Sequence, residues 1–591
     1  MLPETRATAG AASGPLSAES AAGGWGVRLG LAAVLVAWCV RRIGDFDIWW
    51  HLAYGRLILA RGAVPRVDEF SFTAAGAGRV DPEWLFQAIV AALHAVGGTA
   101  ALVLAKTALL LAVAWLVLRF VERELALRAV PAVALVAPFL LAGRWRFIER
   151  PELATIALAA VLVATLLRRR ERAPATLALL WVPLLFALWA NLHAGIIVGA
   201  GVLALFALGR SLEPWLARRG AAPPALGRPS AAQGWGLLAL SLLASLANPF
   251  GWRVWKVPFE LTALHEAGVF RNLEWALPRW PAHWLFFATL LATAAALLTR
   301  RRRPDLAALL PLLLLAALAL RYVRNLGLWG CLAPLLLAAA LAERDGQGAV
   351  ARTLSGALAR VRPALATAVL LGLAAAFLAG DQPFPRGVTI DAQRLPVAAV
   401  DRLEELQPQG QLLNTHAFGG YLIWRRAPEH RVFLDGRDDL YADFRRRLGR
   451  AVLDSRLWFP LLDELEIGAT LLGYEQAGTE VRQVDAAGRV TGTIRQPWSV
   501  TYFPPDEWAL VYFDDVAMIH LRRTPAHAER IAREGLDALF PEDPDYQRWM
   551  VASGAVPREA AEAQLARVLA RDPLGRRAAA LRDALAEVRN P

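Results

Sequence analysis

The sequence predicts a polytopic α-helical membrane protein that carries a soluble α/β domain and a helical tail at its C-terminal end. Of its 591 residues, 56% are hydrophobic, and the mean hydropathy of +0.37 is rarely reached by soluble proteins. The apolar residues form long runs, such as 109–118 and 306–320, instead of alternating with polar ones. Such runs are typical of membrane-spanning helices, because a helix pairs its backbone polar groups within the segment. After residue 380 the composition becomes that of a soluble protein.

The positive charge does not indicate a nucleic-acid partner. The net charge is +12, but Lys106 and Lys256 are the only two lysines. Much of the arginine lies in short loops between apolar runs, where membrane topology accounts for it. Cys39 and Cys331 both lie in or beside apolar runs, so we expect neither a disulfide framework nor a thiol-rich metal site.

The N-terminal segment 1–26 is rich in Ala, Gly, Ser and Pro. It has no apolar stretch before Val27 that could serve as the core of a cleaved signal. We therefore expect a disordered cytoplasmic lead.

Window hydropathy predicts about eleven spans within a membrane domain, residues 27–380. They are 27–43, 99–121, 126–142, 153–167, 176–190, 194–210, 233–247, 282–299, 305–320, 326–342 and 363–380. With the N-terminus inside, the two densest arginine clusters, 168–172 and 300–303, both fall in cytoplasmic loops. The positive-inside rule therefore favours a cytoplasmic N-terminus and an outward C-terminus, with Arg41 and Arg42 as the chief exception.

The first outer loop, 44–98, is long and contains an apolar stretch, 86–93, that is too short to span. We expect this stretch to form an interfacial helix with Trp84 at headgroup depth. The same topology places most of the chain's clustered acids, histidines and asparagines on the outer side, so we interpret that face as the working one.

The soluble part is predicted to be an α/β domain over 381–524, followed by a helical tail over 525–591. Short buried strands are expected at 388–390, 411–414, 431–435 and 469–472, with helices at 397–406 and 442–453 between them. A closing hairpin is expected from 508–511 and 516–522, and a helix pair from 559–569 and 576–588.

The first outer loop begins with the pattern Asp45-Phe46-Asp47-Ile48-Trp49-Trp50-His51. Asp47 and His51 are four positions apart and share a helical face, whereas Asp45 and Asp47 do not. A carboxylate and an imidazole one turn apart can bind a divalent cation or form an acid–base pair. Acids also commonly flank helix starts, which is the structural interpretation. However, placing an acid beside an apolar span costs free energy near lipid, and this favours a functional role.

Other polar residues lie at the outer edges of spans. Arg150, Arg321 and Arg324 present guanidinium groups that suit phosphate, although each could equally be an interfacial anchor. Asn191 and His193 flank the start of a span, where a helix cap is the alternative interpretation.

The α/β domain offers candidate ligand residues of its own. Gly419 and Gly420, followed by Tyr421, stand where a strand turns into a helix. They can admit a phosphate or a sugar, or they can mark close helix–sheet packing, which is the favoured interpretation. Asp435 and Arg437 follow the carboxyl end of a strand, where ligands bind in open α/β sheets. No phosphate-binding glycine pattern occurs, which excludes a soluble nucleotide-sugar site.

The order of these motifs resembles the GT-C superfamily of integral-membrane glycosyltransferases, and especially bacterial members that are largely uncharacterised. The resemblance covers about residues 27–475. The motifs that carry it are Asp45-Phe46-Asp47-Ile48-Trp49-Trp50-His51-Leu52 with Gly55, Glu83-Trp84-Leu85, Arg150-Pro151, Trp189-Ala190-Asn191-Leu192-His193, Asn248-Pro249-Phe250-Gly251, Glu274-Trp275, Gly419-Gly420-Tyr421-Leu422-Ile423-Trp424 and Asp435-Gly436-Arg437.

The resemblance implies a bacterial cytoplasmic-membrane enzyme that takes a sugar from a polyprenyl-phosphate donor at the outer face. It implies a first-loop carboxylate, Asp47 or Asp45, as general base on the acceptor hydroxyl. The substrate-binding residues would be Glu83, Arg150, Asn191, His193, Glu274, Arg321 and Arg324. Within that set, Arg150 and Arg324 are the candidates for the phosphate.

Some members of the superfamily use a divalent metal, so Mg, Mn or Zn at Asp45, Asp47 and His51 is a further expectation. The acceptor is a glycan, a lipid or a protein, and the sugar is not specified by any motif. Membrane lipids are implied partners.

Two other functions fit the same sequence. One is a scaffold that binds lipid-linked glycan without transferring it. The other is a transporter with a periplasmic domain, although transporters usually show internal repeats and broken spans near mid-membrane. The charged residues of this chain cluster at one face instead, which favours the enzyme.

Overall fold

The computed structural model describes residues 15–218, 227–270, 272–299, 303–342, 348–380, 385–474, 477–484 and 489–588. The chain divides into two compact units. The first, which we call the membrane unit, comprises residues 1–42, 96–258 and 271–388. The second, which we call the sheet unit, comprises residues 43–95, 259–270 and 389–591.

The first fourteen α-helices of the described chain carry nearly all of its long apolar runs. They are α1 Pro15–Cys39, α2 Ile48–Arg61, α3 Trp84–Glu124, α4 Ala129–Gly143, α5 Glu152–Leu167, α6 Trp181–Trp189, α7 Ile196–Ala217, α8 Ala231–Ala244, α9 Val257–Glu266, α10 Trp284–Leu298, α11 Leu306–Arg321, α12 Leu326–Leu341, α13 Ala349–Ala357 and α14 Pro363–Ala379.

Each predicted span coincides with an apolar helix. Among the described residues, four helical segments are long and apolar enough to cross a membrane, and they are Trp84–Glu124, Ala129–Arg146, Ile196–Ala217 and Val323–Leu341. The other predicted spans coincide with apolar helices of 10–17 residues. That all of them cross the bilayer stays a prediction.

Helix α3 contains a break that the sequence predicts. Its backbone leaves helical geometry at Gly97 (φ −142°) and Gly98 (φ +59°). The second angle is one that residues with a side chain rarely adopt, which explains a glycine at that point. The break separates the expected interfacial helix, 86–93, from the span expected over 99–121.

Helix α12 is the centre of the membrane unit, because every one of its residues is buried. It packs against α4, α5, α10 and α11. The closest approach is to α4, where a Cβ on Gly330 would lie 2.6 Å from the carbonyl oxygen of Phe139 and 3.0 Å from the Cα of Gly143. Small residues allow such close packing between apolar helices.

Helix α1 begins within the segment that was expected to be disordered. Disorder was expected over 1–26, but α1 already begins at Pro15, because its alanine-rich start continues into the apolar helix. Residues 1–14 lie outside the described part of the chain. Arginines 219, 300–302 and 344 of the predicted cytoplasmic loops also lie outside it.

The sheet unit contains the remaining helices and all the strands of the described chain. Its helices are α15 Val397–Leu406, α16 His416–Arg426, α17 Ala442–Ala451, α18 Ser455–Glu464, α19 Trp498–Tyr502, α20 Ala528–Glu534, α21 Pro544–Ala552, α22 Arg558–Arg571 and α23 Arg576–Ala586, together with α2 from the first loop. The strands are β1 Gln411–Asn414, β2 Ile467–Gly473, β3 Thr479–Val484, β4 Val490–Gln496, β5 Trp508–Phe513 and β6 Ala517–Arg522.

Four strands form one sheet in the order β1-β2-β6-β5. Strands β1 and β2 are parallel, while β6 is antiparallel to both β2 and β5. Strands β3 and β4 form a separate antiparallel hairpin. The predicted strands at 411–414 and 469–472 and the closing hairpin are therefore confirmed, with slightly different ends.

Two predicted strands are wrong. The segments 388–390 and 431–435 form only single bridges, Ile390 with Ile43 and Val432 with Ser71, because their partners are short pieces of the first outer loop. The hairpin β3–β4 was not predicted, because its strands are polar and mostly exposed.

The predicted domain boundaries also change. The first outer loop, expected within the membrane domain, groups with the sheet unit. The tail expected as a separate segment over 525–591 contributes Leu565 and Leu581 to the same buried core as Phe433 and Trp508. The expected α/β domain, 381–524, is thus one part of a larger unit.

Candidate functional site

The first cluster of functional side chains lies in the sheet unit at the start of α2. The carboxylate of Asp45 accepts hydrogen bonds from the backbone N–H groups of Asp47 (3.0 Å) and Ile48 (3.2 Å). A carboxylate that accepts from the backbone N–H two residues further on forms an Asx-turn, which here leads into α2. Asp45 therefore has a structural use, which argues against the expectation that it is the general base.

Asp47 is partly exposed, and its surroundings hold it in one place. The indole Nε1 of Trp50 lies 3.4 Å from its Oδ1 and donates toward it. A Cβ added to Gly436 would lie 2.0 Å from the same oxygen and 3.3 Å from the indole nitrogen of Trp50. Only a residue without a side chain leaves room for the Asp47 carboxylate at this point.

Glu83 is the second acid of the cluster. Its backbone N–H donates to Asp81 (3.0 Å), and Asp81 also accepts from the side-chain amide of Gln87 (2.8 Å). Burial raises the pKa of Glu83 to about 8, and the negative charges of Asp81, Asp439 and Asp47 add to the rise. Glu83 is therefore mostly protonated at neutral pH and can donate a hydrogen bond.

Arg79 supplies the positive charge within this group. Its guanidinium pairs with Asp81 at 3.2 Å and lies over the ring of Trp50, 4.8 Å from the centroid. Burial also raises the pKa of Asp439, although Arg79 opposes that rise. The cluster therefore combines several carboxylates with one arginine, and we call Asp47, Arg79, Asp81, Glu83 and Asp439 the acidic cluster.

The predicted metal ligands do not assemble. Within the described ranges no group of three or more His, Cys, Asp or Glu side chains is arranged to hold a metal ion. Asp45 is taken up by backbone N–H groups, while His51 stacks on Trp50 and its Nδ1 lies 3.9 Å from Glu83. The expectation of Mg, Mn or Zn at Asp45, Asp47 and His51 is therefore not supported.

Asp435 and Arg437, expected as ligand residues, are fully buried in an internal ion network. Arg437 donates from Nε to Asp435 (2.6 Å) and from Nη1 to the hydroxyl of Tyr54 (2.8 Å). It also pairs with Asp68, and Tyr441 completes the group. The guanidinium donors are directed at protein partners, so the ligand role is wrong and the residues have a structural role.

Gly419 and Gly420 allow close packing of α16 against neighbouring backbone, in line with the favoured interpretation. A Cβ on Gly419 would lie 1.9 Å from the carbonyl oxygen of Leu434, and one on Gly420 would lie 2.4 Å from that of Phe46. Tyr421 is buried and packs edge-on against the ring of Trp49 at 5.3 Å. Protein backbone and aromatic rings thus occupy the space that a ligand would need.

The second cluster lies in the membrane unit, in the turns between helices. Arg146 pairs with Glu152, and its Nη1 lies 2.7 Å from Glu274. Arg150 reaches the same oxygen of Glu274 at 2.9 Å. Burial alone would raise the pKa of Glu274, but Arg150 and Arg146 lower it to about 2. Glu274 is therefore an ionised carboxylate that pairs with two arginines, which argues against a role as a substrate ligand.

Arg324 differs from these arginines. It lies over the ring of Trp275, 4.6 Å from the centroid, and Trp275 packs edge-on against Tyr322 at 5.1 Å. Among the described residues no carboxylate pairs with it and no side chain or carbonyl accepts a hydrogen bond from it. Arg321, by contrast, is exposed and lies over Tyr322. Arg324 thus has donors directed at no protein acceptor.

His193 is held by a chain of hydrogen bonds. The indole N–H of Trp189 donates to the hydroxyl of Thr155 (2.9 Å), and that hydroxyl lies 2.7 Å from Nδ1 of His193. Nδ1 also accepts from the backbone N–H of Gly195 (3.1 Å). Because Nδ1 is an acceptor, we assign the proton to Nε2. Burial, with Arg324 and Arg146 nearby, lowers the pKa of His193 to about 3, so the ring is neutral.

Asn191 has a structural use. Its side-chain amide donates to the carbonyl oxygens of Ala187 (2.7 Å) and Ala247 (2.8 Å). This ties the end of α6 to the segment after α8, so a substrate role for this amide group is not supported.

The predicted site residues therefore fall into two groups. Glu83 joins Asp47 in the sheet unit, while Arg150, His193, Glu274 and Arg324 belong to the membrane unit. Asp81 and Arg79 were not predicted as site residues from the sequence. Asp81 could have been found, since it stands two positions before Glu83 in an Asp-Pro-Glu triplet.

Comparisons with known proteins give structural neighbours only. No protein-family model matches the chain. No curated protein gives a significant match. The chain is similar to the Archaeoglobus fulgidus oligosaccharyltransferase in the apo form, with 11% identity, a TM-score of 0.49 and coverage of 91% of this chain and 83% of that one.

The structure of the archaeal oligosaccharyltransferase AglB from the same organism, in complex with an inhibitory peptide and a dolichol-phosphate, gives 12% identity, a TM-score of 0.48 and the same coverage. ArnT from Cupriavidus metallidurans, bound to undecaprenyl phosphate, gives 12% identity, a TM-score of 0.41 and coverage of 84% of this chain and 97% of that one. All of these similarities combine an identity of 11–12% with a TM-score below 0.5. At these identities and TM-scores the likeness assigns neither a substrate nor a residue role to this chain.

Proposed function

We propose that this protein is a membrane glycosyltransferase that moves a sugar from a polyprenyl-phosphate donor to an acceptor hydroxyl at the outer face of a bacterial cytoplasmic membrane. The observation that carries the proposal is the acidic cluster, in which Asp47 is partly exposed and held by Trp50 and Gly436. A partly exposed carboxylate held in position by its neighbours suits the role of a general base.

Asp47 and Glu83, the two acids of the cluster named in the sequence analysis, would have different tasks. Asp47 would take the proton from the acceptor hydroxyl as that oxygen attacks the anomeric carbon. Glu83, with a pKa of about 8, keeps its proton at neutral pH and would donate a hydrogen bond to a sugar or acceptor oxygen.

The leaving group of this reaction is a polyprenyl phosphate, which needs positive charge. Arg324 supports this part of the proposal, because within the described residues its guanidinium has no hydrogen-bond acceptor and Trp275 fixes its plane. Planar guanidinium groups suit phosphate oxygens. His193 carries a neutral ring with its proton on Nε2, so it would add a hydrogen-bond donor without adding charge.

The choice of donor follows from the proposed topology. With the working face outward, nucleotide sugars of the cytoplasm do not reach the site, whereas a lipid-linked sugar does. No step is assigned to a metal, because the residues expected to bind one do not converge.

The direct test is release of polyprenyl phosphate by the purified protein in lipid, with a panel of polyprenyl-phosphate sugars. We expect release with at least one sugar, and we expect Asp47→Asn to abolish it. Donor that binds equally to both proteins and is never turned over would instead indicate a glycan-binding scaffold. Absence of any donor binding would favour the transporter.

A further inference from the structure

The hairpin β3–β4 of the sheet unit has an unusual exposure. All four residues Thr479–Arg482 of β3 are exposed, so this strand presents both of its faces to solvent. Strand β4 differs, because Gly492, Ile494 and Gln496 are half-buried and Ile494 packs against the core of the unit. Among the hairpin residues whose burial is described, those that reach the rest of the unit therefore belong to β4.

Strand β3 is also an edge. Within the described ranges it pairs only with β4, through a register in which Val481 faces Ile494 and Glu480 faces Arg495. Its other side carries backbone N–H and C=O groups that no strand satisfies there. A two-stranded hairpin is marginally stable in water, and natural proteins normally shield such edges.

The charges on this edge are self-complementary. Glu480 and Arg482 lie two positions apart and therefore on the same face of β3. Neither makes an ion pair or a side-chain hydrogen bond with any part of the chain that the structure describes. If two copies of β3 run antiparallel about Val481, Glu480 of each copy lies directly opposite Arg482 of the other.

Such a pairing would bury apolar side chains and bring opposite charges together. The two valines at position 481, which are 38% exposed in the single chain, would face each other across the symmetry axis. Each Glu480 would lie between Arg495 of its own hairpin and Arg482 of the second copy. Opposite charges directly across a strand pair stabilise it, while like charges destabilise it.

We propose that β3 is a dimerisation edge through which two copies of this chain join their hairpins into one four-stranded sheet, with a two-fold axis at Val481. The contact is isologous, because each copy gives the same residues to it. Both copies keep the same orientation in one membrane when the two-fold axis is perpendicular to the bilayer. The proposal does not depend on the proposed enzymatic function.

Disulfide trapping tests the register. Val481→Cys in the full chain, reconstituted in lipid and treated with a mild oxidant, would place two thiols opposite each other at a separation that suits a disulfide. The native Cys39 and Cys331 are both buried, so the introduced cysteine is the accessible one. We expect a covalent dimer, and Leu453→Cys, on a residue 87% exposed in the same unit, serves as the control.

Charge exchange tests the specific contacts. Glu480→Arg alone and Arg482→Glu alone each create two like-charge pairs, so we expect dimer dissociation constants about tenfold higher, measured by sedimentation in detergent. The double variant Glu480→Arg with Arg482→Glu restores opposite charges and should restore the dimer. Cross-linking of Val481→Cys no faster than Leu453→Cys would overturn the proposal. A dimer that is unchanged by both single variants would overturn it as well, since the contact would then lie elsewhere.

Discussion

Arg437 donates a hydrogen bond to the hydroxyl of Tyr54 at 2.8 Å, across 383 positions of the chain. Tyr54 lies on α2, four residues after Trp50, whereas Arg437 belongs to the segment between α16 and α17. Asp68, Asp435 and Tyr441 complete this buried network. The network fixes the first outer loop within the sheet unit and so holds Asp47 beside Gly436.

Breaking this network is expected to cost stability rather than chemistry. Arg437→Met leaves two buried carboxylates, Asp68 and Asp435, without their cation, so we expect a loss of about 3–5 kcal/mol in the free energy of unfolding. Thermal unfolding of the purified protein measures it. Arg446→Met is the control, because its partner Asp443 is fully exposed and pairs between exposed side chains contribute little to stability. Equal melting temperatures for the two variants would show that the network is not a stabilising element.

Gly436→Ala tests the position of the Asp47 carboxylate. The new methyl group would lie 2.0 Å from Oδ1 of Asp47, so the carboxylate must move. We expect turnover to fall on the order of 10²-fold, as for other small displacements of a reacting group. Gly449→Ala is the matched control, since a Cβ there meets nothing within 4 Å. If both alanine variants turn over at the wild-type rate, the base is not where we place it.

Glu83 predicts a specific pH dependence of stability. Its pKa is raised to about 8 by burial and by Asp81, so the folded protein keeps a proton that the unfolded chain releases near its ordinary value of 4.5. The folded state therefore loses stability as the pH rises from about 4.5 to about 8. The Glu83→Gln variant lacks this proton. The difference between its melting temperature and that of the wild type should therefore shift in favour of the variant as the pH rises from about 5 to about 9. A difference that is constant with pH would contradict the raised pKa.

Substitutions of Arg324 and Arg146 are expected to affect different properties, namely donor binding and thermal stability. Arg324→Gln removes donors that have no protein acceptor among the described residues, so we expect weaker donor binding with an unchanged melting temperature. Arg146→Gln leaves Glu152 and Glu274 short of a partner, so we expect a lower melting temperature. Binding of a fluorescent polyprenyl phosphate, measured beside thermal unfolding, separates the two. If both variants lose only stability, Arg324 has a structural role.

Local patterns predicted much of this fold. Long apolar runs predicted the helices of the membrane unit, and the separation of the stretch 86–93 from the span 99–121 predicted that α3 is not continuous. The alternation of short apolar segments with turns predicted β1, β2 and the hairpin of β5 and β6. These features depend on residues close in sequence, which is the range over which periodicity is informative.

The site was less predictable, because its contacts join distant residues. Arg437 and Asp68 are separated by 369 positions, so nothing near either residue indicates that they pair. Asp45 and Asp47 look alike in sequence. Only the backbone at the start of α2, whose N–H groups bind Asp45, distinguishes it from Asp47, the candidate base. The position of Asp47 itself was predicted, from the proximity of acids to an apolar span.

The account depends most on the different roles of Asp47 and Asp45, and one comparison tests it directly. Asn forms the same kind of Asx-turn as Asp does, so Asp45→Asn should leave turnover within a few-fold of the wild type. Asp47→Asn keeps the shape of the side chain but removes the base, so release of polyprenyl phosphate should fall by about 10²–10⁴-fold. Equal turnover by the two variants, whether both are active or both inactive, would contradict the assignment of Asp47 as the general base.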